Sequence, residues 1–388
     1  MKNKKLAFAA VAAVLSLSVA ACGSDDDKAS GGGDKGPLKV ALMIPIADNP
    51  TDPDIFVDPA QMAVDEINAK GGIDGHKLEL TQYDAGFTAE GALTAMQKAI
   101  SDDVSFVVGL PIADQVLAVR PLLDRAKIPL LYLGGGFAAA YDPDSKTGSS
   151  EWSFRVGTPS EDTVNAGVQY AIDKLGLTNV GLLLRDDAGK DTSTQAAKDG
   201  AEAAGGTISE IQTIPLNSTD LTTQILAMKD VDAIFTTDFV PGITAALKEI
   251  DQQGMDVPLL TGQTGMTVYL GGTAGDLVKN MYSSAPCNMF DAYSETATKW
   301  VEDFQAKYDF MPDPNSSTTY DAFYLYKEAY EDAGGAGDEL LKSLENLDYE
   351  GVCMHYKVDD QHFMGSTEVV EDFSGETPKT VATYDFSK

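Results

Sequence analysis

Leu38-Lys-Val-Ala-Leu-Met-Ile44, then Pro59-Ala-Gln-Met-Ala-Val-Asp-Glu-Ile-Asn-Ala69, then Lys77-Leu-Glu-Leu-Thr-Gln-Tyr83 form the stretch that decides the fold. The first run is almost wholly apolar, as a strand covered on both faces should be. In the second, apolar side chains fall at positions 60, 63, 64 and 67, one face of a helix, and Gly71-Gly72 ends it. The third alternates as a strand. Strand, helix, strand with glycine punctuation is a βαβ unit, which requires parallel strands. The rhythm continues with helices over 89–100 and 113–125 and strands over 105–109 and 129–133. A glycine-rich break at Gly134-Gly-Gly136 is followed by a long polar loop to Trp152-Ser-Phe-Arg-Val156. The pattern then restarts, with strands over 179–184, 207–214, 233–236, 258–261 and 281–285 and helices over 192–204, 221–228 and 243–253. Helices follow over 295–308, 318–332 and 338–347, and 351–358 and 381–386 read as strands. Two doubly wound α/β lobes in series, each on a parallel sheet, is the architecture this implies. In such sheets ligands bind beyond the carboxyl ends of the strands.

Length and composition agree. At about 100–200 residues per domain, 388 residues suggest two domains, and 43% hydrophobic content is that of a folded protein. The chain carries 60 Asp and Glu against 28 Lys and Arg, a formal net charge of −32. Such a charge repels phosphate backbones and argues against a nucleic-acid partner. Three Cys and three His leave little for a zinc or iron–sulfur centre.

The N-terminus, Met1-Lys-Asn-Lys-Lys5 followed by an apolar run of about 15 residues, has the form of a secretory signal. A membrane-spanning helix needs about 20. The exit Val19-Ala-Ala-Cys22-Gly23 resembles the bacterial lipobox, in which the cysteine is acylated and becomes the first mature residue. Residues 1–21 are therefore expected to be a signal peptide, and 22–37 a flexible, polar tether lipidated at Cys22. The protein is expected outside the cytoplasmic membrane, anchored to it by that lipid. In that oxidising setting the two remaining cysteines, Cys287 and Cys353, are expected to pair, with two buried thiols as the alternative.

Met62-Ala-Val-Asp-Glu-Ile-Asn-Ala-Lys-Gly-Gly-Ile-Asp-Gly75 resembles a signature of extracytoplasmic solute-binding proteins of the branched-chain amino acid (Leu/Ile/Val) type, which serve ABC importers. Phe106-Val-Val-Gly109, Ile128-Pro-Leu-Leu131, Phe154-Arg155 and Thr319-Tyr-Asp-Ala-Phe323 follow in the order that family shows. The resemblance implies a type I periplasmic-binding-protein fold: two lobes joined by three crossovers and closing on ligand like a hinge. It implies lobe one over 38–157 plus 286–347 and lobe two over 158–285 plus 348–388. Cys287 and Cys353 would then both lie near the hinge.

The resemblance also implies a cleft. The family holds a ligand carboxylate with a Ser in the loop after the third strand, where this chain has Ala113, leaving backbone N–H groups of the next helix. A second position, usually Ala and Thr, falls on Gly135 and Gly136, beside Phe137. These glycines read either as close-approach positions or as a flexible loop. In the second lobe the ligand-stacking aromatic is replaced by Ala188. Asp187 at the strand end is a candidate acceptor or a solvated surface residue, and Phe239 takes the other aromatic position, next to Asp238. The acid that receives a ligand ammonium is replaced by Thr264, after Gln263. Phe56 and Asp114 complete the candidate set, Asp114 for a cationic ligand. Without the Ser, Thr and acid, a branched-chain amino acid is a poor fit, and a small polar or aromatic solute is expected instead.

Other signals carry less. Asp48, Asp52, Asp54 and Asp58 lack the turn glycine of a calcium loop. His355 and His362 near Cys353, Asp359 and Asp360 match no compact zinc spacing. Gly189-Lys190 lacks the rest of a phosphate loop, and no Gly-x-Ser-x-Gly nucleophile turn occurs. No metal, cofactor or catalytic residue is therefore expected. The leading reading is a monomeric solute receptor that delivers a small-molecule ligand to ABC permease subunits. An extracellular sensor docking to a signalling partner and a secreted enzyme are the alternatives.

Overall fold

The structure, a computed structural model, describes residues 35–47, 53–142, 150–216 and 218–387. Cys22, Asp48, Asp52 and the Phe137 side chain lie outside the described residues. A first sheet contains β1 (Lys35–Ile44), β2 (His76–Asp84), β3 (Phe106–Gly109), β4 (Leu130–Tyr132) and β5 (Ser153–Arg155) in the order β2-β1-β3-β4-β5, all parallel. Its crossovers are α1 (Asp54–Ala69), α2 (Ala89–Ser101) and α3 (Ala113–Ala126). The apolar runs become fully buried strands: Val40 to Ile44 and Phe106 to Val108 are inaccessible to solvent. α1 starts five residues before Pro59, the expected start. The proline removes one backbone donor, and the extra turn is retained because it buries Phe56.

The second sheet takes β6 (Asn179–Arg185), β7 (Thr207–Ile214), β8 (Ala233–Thr236), β9 (Leu259–Thr261) and β10 (Met281–Ala285), all parallel to their neighbours. A small antiparallel hairpin, β11 (Asp348–Glu350) with β12 (His355–Lys357), precedes β13 (Thr367–Asp372) and β14 (Lys379–Asp385). The last two strands add antiparallel to β10, giving the order β14-β13-β10-β9-β8-β6-β7. An all-parallel second lobe is corrected to this mixed sheet, and the expected strand over 351–358 to one arm of the hairpin. β13 itself lacks the pattern of a buried strand, because two of its fully buried positions are Glu368 and Glu371.

Helices α4 (Ser160–Asp173), α5 (Lys190–Ala203), α6 (Thr222–Ala227), α7 (Val240–Gln252) and α8 (Thr264–Leu270) flank the second sheet. α4 was not legible in sequence. Val164, Ala166, Gly167, Val168, Tyr170, Ala171 and Ile172 are all buried, so the helix is covered on most sides and shows no narrow stripe. α9 (Glu295–Tyr308), α10 (Pro314–Ala333) and α11 (Asp338–Glu345) return to the first sheet, where Phe323 and Tyr326 pack against Phe106. The chain thus passes between the sheets three times: from β5 to α4, after β10, and from β12 to β13. Leu347, Val352, Cys353, Tyr356 and Met364 belong to the first core, so the second sheet resumes at Thr367. Cys287, just after β10, is disulfide-bonded to Cys353, with Cα atoms 5.3 Å apart.

Candidate ligand-binding cleft

The carboxyl ends of both sheets open onto one cavity of about 140 Å³. The turns that follow β3, β4, β6, β8 and β9 all reach its wall, and α3, α4 and α5 begin there. These helix starts aim the positive ends of backbone dipoles toward the space. Apolar lining comes from Ile55, Phe56, Phe87, Leu133 and Phe239. Phe87, from the first sheet's side, and Phe239, from the second's, meet with ring centroids 5.9 Å apart.

Side-chain hydrogen bonds also cross between the sides. Gln263 Nε2 donates to Asn315 Oδ1 at 2.6 Å, Thr267 Oγ1 to Asp313 Oδ2 at 2.6 Å, and the Ala188 N–H to Asp114 Oδ2 at 3.4 Å. The described arrangement is a closed one.

Of the residues expected at the site, Phe56, Ala113, Gly135, Gly136, Asp187, Phe239, Gln263 and Thr264 line the cavity. Ala113 is the first residue of α3, whose N-cap, Ile112, supplies no side-chain bond. Gly136 is a close-approach position: a Cβ there would overlap the Glu161 carboxylate. Gly134 likewise lets the turn after β4 lie against the Pro111 carbonyl. Asp114 stands off the wall as one of the bridges. Asp238 is buried behind it, accepting the Phe239 N–H at 2.8 Å and packing on Gly242.

Two arginines not foreseen as site residues line the space, Arg155 at the end of β5 and Arg185 at the end of β6. Arg155 is buried, and burial pushes its pKa down, opposed by nearby Tyr132, Glu368 and Glu161. It donates from Nε to the Gly135 carbonyl at 3.3 Å and from Nη1 to the Val156 carbonyl, so it braces the turn after β4. Arg185 donates from Nε to Asp187 Oδ2 at 2.9 Å, and its guanidinium lies 4.5 Å from the centre of the Phe239 ring. Asp187 Oδ1 accepts the Gly189 N–H at 2.9 Å. The available signal was scarcity: the chain has four arginines, and two of them end adjacent-lobe strands at the ligand-binding edge.

A protein-family profile described as "Periplasmic binding protein" matches residues 56–371. The chain belongs to this family. It is a solute-binding protein of the extracytoplasmic type. Among curated relatives, "Leu/Ile/Val-binding protein homolog 8" of Brucella abortus (strain 2308) is 24% identical over 309 residues, 74% of each chain. A branched-chain amino acid transporter substrate-binding protein from Streptococcus pneumoniae, solved with isoleucine, superposes with a TM-score of 0.76 at 22% identity, covering 89% of this chain and 99% of that one. A solute-binding protein of an ABC transporter from Rhodopseudomonas palustris BisB5, solved with 3,4-dihydroxybenzoic acid, gives 0.78 at 21% identity, covering 91% and 98%. These structures share the fold of the binding protein. Within that fold, His362, one of the histidines weighed for metal, is stacked between Tyr141 and Phe154, and burial lowers its pKa to about 4. His355 lies on the exposed hairpin between Asp348 and Glu350.

Proposed function

We propose that this binding protein captures one small solute between two lobes and hands it to the permease of an ABC importer. The lobes are 35–156 with 286–364, and 158–285 with 367–387. The observation that carries the reading is one cavity walled by both sheets and bridged by side chains from each. A cavity of about 140 Å³ matches the ~150 Å³ that accepts one benzene ring. The solute is therefore of single-ring or branched-chain size, consistent with the isoleucine and dihydroxybenzoic acid bound by the two structural relatives. Ligand bridging both sides would shift an open–closed equilibrium toward the closed form. The protein works as a monomer, and the cleft binds without catalysis.

The test is a thermal-shift screen of small solutes, followed by X-ray scattering with and without each hit. A hit should raise the melting temperature, shrink the radius of gyration and be recovered chemically unchanged. No stabilising solute, or turnover of a bound one, would sink the reading. Acylation at Cys22 is the proposed anchor, motivated by the lipobox-like exit. Cys22→Ala should move the protein from the membrane fraction to the soluble one, and retention in the membrane fraction would refute the anchor.

A further inference from the structure

We propose that the cleft selects a small net-anionic solute, a single-ring-sized carboxylate without an ammonium group, and that Arg185 binds its carboxylate. The inference rests on the solute-binding reading and names the charge class of that site. It follows from asking which polar atoms at the cavity are already engaged and which are not.

Donors come first. Arg155 spends its Nε and Nη1 on the backbone carbonyls of Gly135 and Val156. Lys190 is bonded to Asp186 at 2.7 Å. Arg185 uses only Nε, on Asp187, and none of its Nη hydrogens is donated to a described residue. Its side chain is 17% exposed and its guanidinium lies over the Phe239 ring at the cavity wall. A guanidinium edge offering parallel N–H groups fits the two oxygens of a carboxylate, a match that an ammonium or an amide does not make.

Acceptors give the same answer. Asp187 and Glu161 are the acids among the described lining residues. Both Asp187 oxygens are taken, by Gly189 and Arg185. Glu161 is buried against Gly136 and is itself partnered. Thr264 stands where the resemblance places an ammonium-binding acid. A buried ammonium at that position would face a hydroxyl in place of a carboxylate and lose hydration for a weaker partner. An Arg185 edge with hydrogens to give, facing acids that already hold partners, favours an anion. Asp187, which the sequence presents as a ligand acceptor, becomes a positioning residue: pinned at Oδ1, it holds Arg185 Nε and turns the Nη edge away from itself.

Apolar walls set the rest of the ligand. Phe56, Phe87 and Leu133 surround a space of about one ring. The loop after β3 keeps backbone N–H groups but lacks the hydroxyl. Anion recognition has therefore moved across the cleft, from the first lobe to the end of β6.

Calorimetric titration of the whole protein with benzoate, its neutral isostere benzamide, and isoleucine tests this. Benzoate should bind at least 10-fold more tightly than either. Arg185→Gln should weaken benzoate on the order of 10- to 100-fold, the range for a charge-assisted hydrogen bond, and abolish the preference over benzamide. Arg185→Lys should restore part of it. Asp187→Asn should weaken benzoate less and keep the preference, a ratio that mere loss of structure would not preserve. Unliganded melting temperatures of the variants confirm folding. Isoleucine or benzamide binding as tightly as benzoate, or a preference indifferent to Arg185→Gln, would overturn the proposal. If other solutes bind and these do not, the same charge preference and Arg185 dependence are read on them. Binding that ignores both sinks this inference while leaving the solute-binding reading intact; absence of any binding solute sinks that reading itself.

Discussion

Glu368, beside the first crossover, and Asp321, within the first core, are fully buried carboxyl groups. Glu368, on β13, accepts the Thr158 hydroxyl from the first crossover, and burial pushes its pKa up to about 8. Asp321, on α10, accepts the N–H groups of Val352 and Cys353 and the Tyr356 hydroxyl, yet burial still lifts it to about 7. A raised folded-state pKa means the native protein holds the proton more tightly than the unfolded chain. Stability therefore falls as pH rises from about 4.5 toward 8, by up to roughly 1.4 kcal/mol per pH unit for each such group. Urea unfolding at pH 5, 6.5 and 8 should show this decline. Glu368→Gln should flatten it and gain most at pH 8; a pH slope unchanged by that substitution would contradict the assignment. Glu368, together with Glu371, also hid β13 from sequence reading, since a buried strand is recognised by apolar residues and this one buries two glutamates. Arg185 was illegible for a related reason: which of its hydrogens are engaged depends on Asp187 and Phe239, and local pattern does not report that.

At the scale of elements, the start of α10 links its own cap to closure of the cleft. Asp313 Oδ1 accepts the Ser316 N–H at 2.9 Å in a capping box, while Oδ2 accepts the Thr267 hydroxyl from α8. Thr267→Val removes the second bond and leaves the cap. We expect ligand affinity to drop on the order of 10-fold or more, the value of one hydrogen bond to a charged group, with the melting temperature nearly unchanged. Calorimetry and thermal unfolding check both halves, and a large stability loss without an affinity change would show that the bond supports folding only. Most elements of the first sheet were legible within a few residues because each is a buried run or a one-faced helix bounded by glycine. α4, enclosed on most sides, and the seven-residue α8 offered no such contrast.

For the whole molecule, the Cys287–Cys353 bond closes a loop of 66 residues between two of the three crossovers. On the chain-entropy account, such a closure stabilises the fold by about 4 kcal/mol. Cys287→Ser with Cys353→Ser should lower the unfolding free energy by that order, read from denaturant midpoints, and an unchanged midpoint would refute the estimate. The cysteines themselves lie in the first core, so the loss should appear as stability before it appears in the cleft.

By itself the sequence determined the α/β class, the two doubly wound halves and most strand positions, because burial on two faces and helical periodicity are written locally. It also marked Phe56, Ala113, Gly135, Gly136, Asp187, Phe239, Gln263 and Thr264, through a resemblance of ordered motifs. Only the tertiary structure decided that these residues line one cavity, that β13 and β14 join antiparallel, and that Asp238 lies behind the wall. Only it showed Arg185 with an unengaged edge. The physical reason is that a charge's role depends on its partners, and those partners come from segments far apart in the chain.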